Sequence, residues 1–430
     1  MIFSASPDLR RLKWAFTSTK NGAWGDEPDG INDVICIRAA DFDSDLGRLT
    51  NAPRTLRSID PETFLKVSLR SGDLIVEKSG GGEKQLVGRA VVYDDSEPAV
   101  CSNFLARCRP SSLASPKFLN YLMLSIYNAR GTYPHIKQTT GIQNLDLSSF
   151  LNIEVKLPAI PIQERIAAFL DQKTAQIDAL IEKKQQLLKR LAEKRQALIT
   201  QAVTKGLNPS APMRDSGINW LGQIATHWRV LPLKRMKKYL TSGSRDWAEY
   251  YSDDGDNFLR MTNVTKGGVE IDGTELRKVK LDGVFEGTRT ATRAGDILIT
   301  ITAELGSVAI VSSEFEGSYI NQHLALFRCD QEQCDPEFLV NFLWSDVTKT
   351  QFVLSGQGGT KQGLGFDQVD SVVVALPPLN EQSQIATFVK TQHQRINGLE
   401  GAVRTSQQSL IEYRSALITA AVTGQIEGLQ

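Results

Sequence analysis

Polar side chains are concentrated in two loops that lie at matching points of the chain. The loops read IKQTTGIQNL from Ile136 and LSGQGGTKQGLGF from Leu354. Glutamine can form two hydrogen bonds with the edge of adenine in the major groove, and lysine suits guanine or a phosphate. A solvated loop is the alternative, but the recurrence beside a predicted helix favours recognition of nucleic acid. The candidate contacts are Lys137, Gln138, Thr139 and Gln143 in the first loop and Gln357, Thr360, Lys361 and Gln362 in the second.

A glycine-rich bend at residues 80–82, between two predicted strands, adds a smaller group of candidates. Its polar neighbours are Lys78, Ser79 and Lys84. Cations and hydroxyl groups of this kind can contact phosphate oxygens. Glycine bends are also common as simple turns, so the bend by itself does not distinguish a DNA contact from a turn.

Motifs that carry catalysis are missing from the sequence. It contains no GxxxxGK[ST] phosphate loop, no HExxH and no EF-hand loop. Asp146, Glu154 and Lys156 resemble the acidic pair and lysine of metal-dependent nucleases. The repeat described below aligns Val373 with Glu154 and Ala375 with Lys156. We therefore interpret Glu154 and Lys156 as solvated residues of a strand.

The cysteines and histidines predict neither a metal site nor a nucleophile–base pair. The five cysteines are odd in number and form no CxxC pair, so we expect free thiols in a reducing compartment. Zinc bound by Cys329, Cys334 and His323 is the alternative, but their spacing matches no zinc motif. The sequence predicts that the chain is not an enzyme and binds no metal or cofactor itself.

An internal repeat organises the chain. LPAIPIQERIAAFL begins at Leu157 and LPPLNEQSQIATFV begins at Leu376, an offset of 376 − 157 = 219. The match continues without a gap to RQALITQAVT from Arg195 and RSALITAAVT from Arg414. Upstream of these segments the offset drifts to between 220 and 223, which indicates small insertions in loops. Each copy thus has one divergent part and one similar part. We expect the two divergent parts to have related functions on different targets.

The similar segments have the heptad-like apolar pattern of long helices, each of about 40 residues and roughly 60 Å. Such a helix cannot bury its apolar seam alone, and the other copy is the natural partner. Either relative direction is topologically possible, but antiparallel pairing relates the two copies by an approximate two-fold axis. The predicted packing residues are Ile177, Leu180, Leu191 and Leu198 in the first helix and Ile396, Leu399, Leu410 and Leu417 in the second.

The predicted fold class is α+β. Two mixed α/β domains are joined by two long helices that form an antiparallel coiled coil, with a pseudo-two-fold internal repeat. Short alternating apolar runs such as DILITITAE predict the strands. Ser115-Pro116 and Asp335-Pro336 predict the starts of helices that run to about Tyr127 and about Val353. The predicted parts are a first domain at 1–157, a first helix at 158–207, a second domain at 208–375 and a second helix at 376–430.

Composition limits the class of protein further. The 430 residues contain 49 Lys+Arg and 49 Asp+Glu, so the formal net charge is zero. A chain with so little positive charge should bind DNA weakly by itself, because phosphate neutralisation supplies most non-specific affinity. It is expected to need partner subunits. We find neither a membrane span nor a signal peptide and expect a cytoplasmic location.

At its similar segments the sequence resembles the specificity (S) subunits of type I restriction-modification systems. The resemblance is carried by LPAIPIQERIAAFLD at Leu157 with its copy at Leu376, by the paired LITQAVT and LITAAVT endings at Leu198 and Leu417, and by WLGQIATHWRVLPLKRM at Trp220. It covers essentially the whole chain, in the order domain, helix, domain, helix.

The resemblance implies a non-catalytic, sequence-specific DNA-recognition subunit. Each target-recognition domain would read one half of a bipartite site in double-stranded DNA. The helices would set the spacing and dock two methyltransferase (M) subunits, and restriction (R) subunits would complete the complex. S-adenosylmethionine, ATP and Mg²⁺ are expected on those partners. The alternative is a coiled-coil scaffold whose variable domains bind protein partners.

Overall fold

The computed structural model describes residues 8–43, 46–82, 85–138, 141–245, 247–265, 267–281, 289–302, 304–356 and 363–429. The chain divides into two compact units. The first combines Met1–Lys184 with Arg404–Gln430, and the second is Gln185–Val403. Each unit therefore holds one mixed domain together with half of each long helix. The fold class is confirmed at this level, as a mixture of sheets and helices.

The first unit is built on a four-stranded antiparallel sheet of order β2-β11-β7-β9, with three-stranded sheets of order β10-β3-β6 and β12-β13-β8 and the pairs β1-β14 and β4-β5. Its strands are β1 Leu9–Arg11, β2 Phe16–Asn21, β3 Asp33–Ile37, β4 Phe42–Asp43, β5 Arg48–Leu49, β6 Thr55–Ser58, β7 Leu74–Glu77, β8 Ser79–Gly80, β9 Ala90–Val92, β10 Ala99–Cys101, β11 Leu105–Pro110, β12 Ile136–Gln138, β13 Gln143–Leu145 and β14 Glu154–Lys156. Its short helices are α1 Pro61–Val67, α2 Pro116–Asn128 and α3 Leu147–Phe150. The first long helix, α4, spans Ile160–Lys205.

The second unit has a four-stranded antiparallel sheet of order β18-β25-β22-β23, a second sheet of order β19-β21-β20-β24 and the pairs β17-β26 and β15-β16. Its strands are β15 Met213–Asp215, β16 Gln223–Ala225, β17 Arg229–Pro232, β18 Lys237–Ser242, β19 Tyr251–Ser252, β20 Asp256–Leu259, β21 Arg277–Val279, β22 Ile297–Thr300, β23 Val308–Ile310, β24 Tyr319–Ile320, β25 Leu324–Cys329 and β26 Val373–Leu376. Its helices are α5 Pro336–Trp344, α6 Asp346–Gly356 and α7 Phe366–Ser371, and the second long helix, α8, spans Leu379–Val422.

The central strand of each main sheet is buried on both faces. In β7, Leu74 and Val76 pack into one hydrophobic cluster while Ile75 packs into another. In β22, Ile299 packs into one hydrophobic cluster and Leu298 into another. Successive side chains of a strand point to opposite faces, so a continuous buried run such as LIV in β7 or ILI in β22 needs cover on both sides. The alternation predicted for DILITITAE is therefore wrong for β22, because elements of the domain cover both faces of this strand.

A turn with a buried ion pair precedes each central strand. Asp73 is buried and accepts two hydrogen bonds of 2.8 Å from Arg109. Asp296 accepts two of 2.6 Å from Arg328 in the second unit. The glycine before each aspartate has positive φ, 93° at Gly72 and 86° at Gly295, a backbone conformation that glycine adopts without strain. Each arginine is therefore held in place by a buried carboxylate.

The predicted helix that starts at Asp335-Pro336 is two helices. The Asp335 carboxylate caps the start of α5, but α5 ends at Trp344 and Ser345 adopts an extended conformation with ψ 156°. Thr348 Oγ1 and Ser345 Oγ both donate to the carbonyl of Phe342, at 2.9 and 2.6 Å. The backbone N–H of Ser345 donates to the same carbonyl at 3.1 Å, so three donors converge on the last turn of α5 and close it. By contrast, the helix predicted from Ser115 to about Tyr127 is found as α2.

Glu154 and Lys156, two of the three nuclease-like residues, are solvated, as predicted. Glu154 and Lys156 are exposed on either side of buried Val155 in β14, which pairs with β1. Asp146 caps α3 through Ser149 N.

No helix in the described ranges is both long enough and apolar enough to cross a bilayer.

Candidate nucleic-acid interface and spacer helices

Gln143, a predicted base contact, has a structural role instead. Its side chain is buried, with 4% exposed. Oε1 accepts a hydrogen bond of 3.2 Å from Val87 N, and Nε2 donates one of 3.3 Å to Gly82 O. The amide thereby joins the last glycine of the glycine-rich bend to Val87. The prediction that Gln143 reads a base edge is wrong, because both of its polar groups are committed below the surface.

The other described candidates of this loop lie on the small sheet β12-β13-β8. Gln138 is exposed and pairs in register with Gln143. Lys137 is also exposed, but its Nζ lies 2.7 Å from Asp146 Oδ2. This contact and the amide of Ser149 lower the pKa of Asp146 to about 2. Gln138 thus remains the candidate with an uncovered side chain.

The glycine-rich bend brings two more candidates to the same sheet. Ser79 Oγ donates to Asn144 Oδ1 at 2.7 Å, and the two residues are cross-strand partners. Lys78 is half-buried, and its backbone carbonyl accepts from Leu145 N. In the second unit, Thr302 and Gly363 form a bridge at the corresponding position. The candidates that lie outside the described residues, and remain predictions, are Lys84, Thr139, Gln357, Thr360, Lys361 and Gln362.

Sequence reasoning missed an arginine that occurs at the same place in both units. Arg38 follows β3 and Arg260 follows β20, and each of these strands has a parallel neighbour. In both arginines the backbone N–H donates to a side chain three residues later, Asp41 in one case and Asn263 in the other. Extending the repeat upstream would have revealed the pair, since 260 − 38 = 222.

The predicted packing residues of the long helices have different environments. Ile177 and Ile396 are buried, with 6% and 4% exposed, while Leu180 and Leu399 are 47% and 48% exposed. Leu180 and Leu399 therefore do not lie in the buried stripe, which corrects the predicted seam. The remaining four are half-buried: Leu191, Leu198, Leu410 and Leu417.

Polar residues at repeat-equivalent positions join the two long helices beside the buried stripe. In the first unit, Arg414 Nε donates to Asp178 Oδ1 at 2.9 Å. In the second unit, Arg195 Nη2 donates to Asn397 Oδ1 at 2.7 Å and lies 3.0 Å from Glu400. Polar residues at these positions explain why an apolar heptad search selected Leu180 and Leu399 instead.

A buried glutamine fastens each long helix to the domain of its own unit. Gln163 is fully buried near the start of α4; Oε1 accepts from Ser115 N at 2.8 Å and Nε2 donates to the carbonyls of Leu113 and Pro158 at 2.8 and 2.7 Å. These contacts join the start of α2 to the start of α4 within the first unit.

Gln382 makes the equivalent set of contacts at the start of α8. It too is fully buried; its Oε1 accepts from Asp335 N at 2.8 Å, and its Nε2 donates to the carbonyls of Gln333 and Pro377 at 3.2 and 2.8 Å. The glutamine in the repeated IQER and NEQS starts is therefore a link between helix and domain, and no ligand is needed to explain its burial.

Comparison with known proteins supplies the family. Residues 65–190 and 230–404, more than half of the chain, match the family described as "Type I restriction modification DNA specificity domain". The chain is 22% identical over 375 residues to a putative type I restriction enzyme MjaX specificity subunit of Methanocaldococcus jannaschii, covering 86% of this chain and 82% of that one. It is 23% identical over 379 residues to the StySPI specificity subunit of Salmonella potsdam, covering 85% and 78%.

Solved structures share the fold. A chain from a study of assembly and conformational transition of the type I R-M system superposes with a TM-score of 0.73 at 17% identity, covering 98% of this chain and 99% of that one. The HsdS subunit of Thermoanaerobacter tengcongensis gives a TM-score of 0.51 at 17% identity and 98% coverage of each chain. The resemblance inferred from the repeated motifs is thus confirmed, and the chain belongs to the type I restriction-modification DNA specificity family, whose specificity subunits are non-catalytic.

Proposed function

We propose that this chain selects a bipartite site in double-stranded DNA for a type I restriction-modification complex. The domain of each unit reads one half of the site. The helices α4 and α8 pair antiparallel as a spacer of fixed length, and the pair docks two methyltransferase subunits, to which restriction subunits are added. S-adenosylmethionine, ATP and Mg²⁺ belong to those partners, and the complex acts in the cytoplasm.

The observation that carries the proposal is an exchange of equivalent contacts between the two helices. Asp178 and Asn397 are repeat equivalents, since 397 − 178 = 219, and so are Arg195 and Arg414, since 414 − 195 = 219. Arg414 contacts Asp178 in one unit, and Arg195 contacts Asn397 in the other. Such an exchange, in which i contacts j and the equivalent of i contacts the equivalent of j, is the signature of an isologous, two-fold-related interface.

The direction of pairing is supported inside each unit separately. In the first unit, Ile166 and Leu170 share a cluster with Ile418 and Val422, while Asp178 meets Arg414. As the residue numbers increase along α4, the residue numbers of its partners on α8 decrease. In the second unit, Ile199 shares a cluster with Val389 and Ile385, while Arg195 meets Asn397. Both units therefore support an antiparallel pair.

The absence of net charge supports dependence on partners. A DNA-binding protein whose affinity comes from its own phosphate contacts has an excess of Lys and Arg. This chain has 49 Lys and Arg residues and 49 Asp and Glu residues. Partner subunits that also contact the duplex would supply the non-specific affinity, while the two domains supply the choice of sequence.

Methylation mapping in cells tests the function. Genomic DNA from cells with and without this chain, both carrying the methyltransferase subunit, is sequenced with a method that detects methylated bases. We expect methylation at two short blocks separated by an unread gap, only when the chain is present. Methylation that is unchanged by deletion of the chain would contradict the proposal and favour a protein-binding scaffold.

A further inference from the structure

An aromatic cleft opens in the first unit beside the glycine-rich bend. Its volume is about 650 Å³, and its walls include Trp24, Phe42 and Phe104. Trp24 is 37% exposed and Phe104 is 51% exposed. The bend forms another wall through Ser79 and residues 80–81. The buried amide of Gln143 supports this wall from the protein interior. Gln143 therefore contributes to the shape of the cleft although it contacts no base.

The floor of the cleft is an ion pair that needs no ligand. Glu77 is buried and accepts two hydrogen bonds of 2.8 Å from Arg89 Nε and Nη2. The Arg89 guanidinium also lies 5.7 Å from the centre of the Phe42 ring. Both charges are therefore neutralised within the protein. Arg89 serves the shape of the cleft, since its donors already face a carboxylate.

Arg38, on the wall, is held more loosely. Its side chain is 42% exposed, and its Nη2 forms an ion pair of 3.6 Å with Asp41 Oδ1, longer than a good hydrogen bond. The other carboxylate oxygen, Oδ2, accepts from the backbone N–H of Arg38 at 2.7 Å. The Nε of Arg38 is buried and has no hydrogen-bond partner among the described residues, so the terminal Nη groups are the donors that can serve a ligand in the open cleft.

The chemistry of the cleft favours a base edge over a phosphate. A phosphate needs only charge and donors, and flanking aromatic rings add nothing to it. In the major groove a G·C pair presents the two acceptors of guanine, and a neighbouring A·T pair presents the apolar methyl group of thymine. An arginine with aromatic neighbours matches both. The planar fork of the guanidinium fits guanine O6 and N7 with two parallel hydrogen bonds. Lysine can also contact guanine, but as a flexible point charge without this fixed geometry.

The same position in the second unit carries the same residue type. Arg260 Nε is also buried without a partner among the described residues, and its Nη2 donates to Glu275 O at 3.2 Å. The two domains have diverged strongly elsewhere. Both domains nevertheless have an arginine at the end of the strand that has a parallel neighbour. Two related domains that recognise different half-sites are expected to share such a residue.

We propose that this cleft is the base-reading surface of the first domain and that Arg38 selects guanine in one half of the DNA site. The inference rests on the proposed function and names residues for it. Trp24 and Phe104 exclude water beside the guanidinium and contact neighbouring bases.

The test compares three variants of the full chain, each assembled with the methyltransferase subunit of its own system, on a DNA library randomised in both blocks. R38Q removes the charge and the fork. R38K keeps the charge but loses the paired donors. R48Q is the matched control, because Arg48 is a surface residue whose side chain is 67% exposed and lies 3.9 Å from Asp43.

We expect R38Q and R38K to lose discrimination at one G·C pair by roughly 10- to 100-fold and to leave the other block unchanged. R48Q should keep the wild-type preference in both blocks. If R38K behaves as wild type while R38Q weakens binding evenly over all sequences and lowers the salt dependence, Arg38 contacts a phosphate and the inference is overturned. Unchanged preference in both Arg38 variants would also overturn it.

The same experiment separates this inference from the function beneath it. A wild-type complex that selects no sequence would overturn both. A wild-type complex that selects two blocks, with R38K indistinguishable from it, would overturn the inference alone. Thermal unfolding of each variant checks folding, and R38K keeps the test decisive because its aliphatic chain and charge are retained even if R38Q is unstable.

Discussion

Arg414 donates a hydrogen bond of 2.9 Å from Nε to Oδ1 of Asp178, across the two long helices of the first unit. The arginine side chain is only 8% exposed, while that of the aspartate is 26% exposed. Burial makes the pair sensitive to removal of one member, because the other charge then stays in the protein without this opposite charge beside it.

The first prediction concerns this pair. Replacing Asp178 with alanine should destabilise the protein by about 3 kcal/mol. This is the lower end of the usual cost of breaking a buried ion pair, because Asp178 is partly exposed. The double variant D178A/R414A should lose less than the sum of the single variants. Denaturant unfolding of all four proteins gives the coupling energy, and strict additivity would show that the contact contributes nothing.

The second prediction concerns the buried glutamines. Gln163→Leu removes the partners of three backbone groups around the start of α4, and each unsatisfied buried group costs about 1–3 kcal/mol. We expect a large loss of stability in the first unit and a broader choice of gap length in the DNA site, since the domain is no longer fixed to its helix. Gln382→Leu should do the same in the second unit.

Gln176 provides a matched control for that experiment. It lies on α4 with an exposed side chain, so Gln176→Leu should change neither stability nor gap length. If Q163L and Q176L gave the same unfolding curves and the same gap preference, the proposed link between domain and helix would be wrong.

The third prediction separates two glutamines of one loop. Gln138 is exposed and Gln143 is buried. Gln143→Ala should lower the melting temperature because it frees the glycine-rich bend. Gln138→Ala should leave the melting temperature unchanged, and relaxed preference within one block by about 1–3 kcal/mol would identify a base contact. For the second domain, Gln357→Ala with Gln362→Ala should relax only the other block; wild-type selectivity would remove that loop from the recognition surface.

The fourth prediction is a dependence of stability on pH. Burial, followed by the nearby Arg195, lowers the pKa of His393 below its ordinary value of 6.5, while Glu270 and Glu400 act in the opposite direction. The unfolded chain therefore binds the proton more tightly than the folded chain. Stability is fully present above the unfolded pKa and is lost as the pH falls below it towards the folded pKa.

His393→Gln removes that titration. The free energy of unfolding of the wild type should decrease between pH 7.5 and 5.5, and the H393Q variant should show a shallower decrease over the same range. Identical slopes for the two proteins, measured by urea unfolding at several pH values, would show that His393 does not couple folding to protonation.

The sequence predicted the organisation of this chain more successfully than its contacts. The repeat at Leu157 and Leu376 predicts two long helices, and these are α4 and α8, because a gapless apolar period over so many residues has few other solutions. Leu180 was assigned to the seam wrongly, since a heptad search gives preference to leucine and ignores Arg195 and Arg414. Those polar residues are recognisable only when both partners of a contact are known.

The candidate site was the least predictable part. Gln143 and Gln138 have the same side chain and lie five positions apart, so composition could not separate the buried residue from the exposed one. The strand pairing of β12, β13 and β8 decides between them. Arg38 lies about 100 residues from that loop along the chain, and sheet topology brings it to the bend. A non-local arrangement of this kind cannot be read from local patterns.

The length of the paired helices is the central element of the account, and an insertion tests it most directly. The variant has four residues inserted after Gln186 and four after Thr405, which are repeat-equivalent positions since 405 − 186 = 219. In both arginine contacts the numbers of the paired residues add to the same value, since 178 + 414 = 592 and 195 + 397 = 592. The insertions lie opposite each other by the same rule, since 186 + 406 = 592, and therefore preserve the register of both contacts. Each insertion lengthens its helix by about 6 Å. Methylation mapping in cells that carry this variant should find the same two blocks with a gap longer by one or two base pairs, given about 3.4 Å per step of the duplex. Methylation of the same blocks at the original gap would contradict the account.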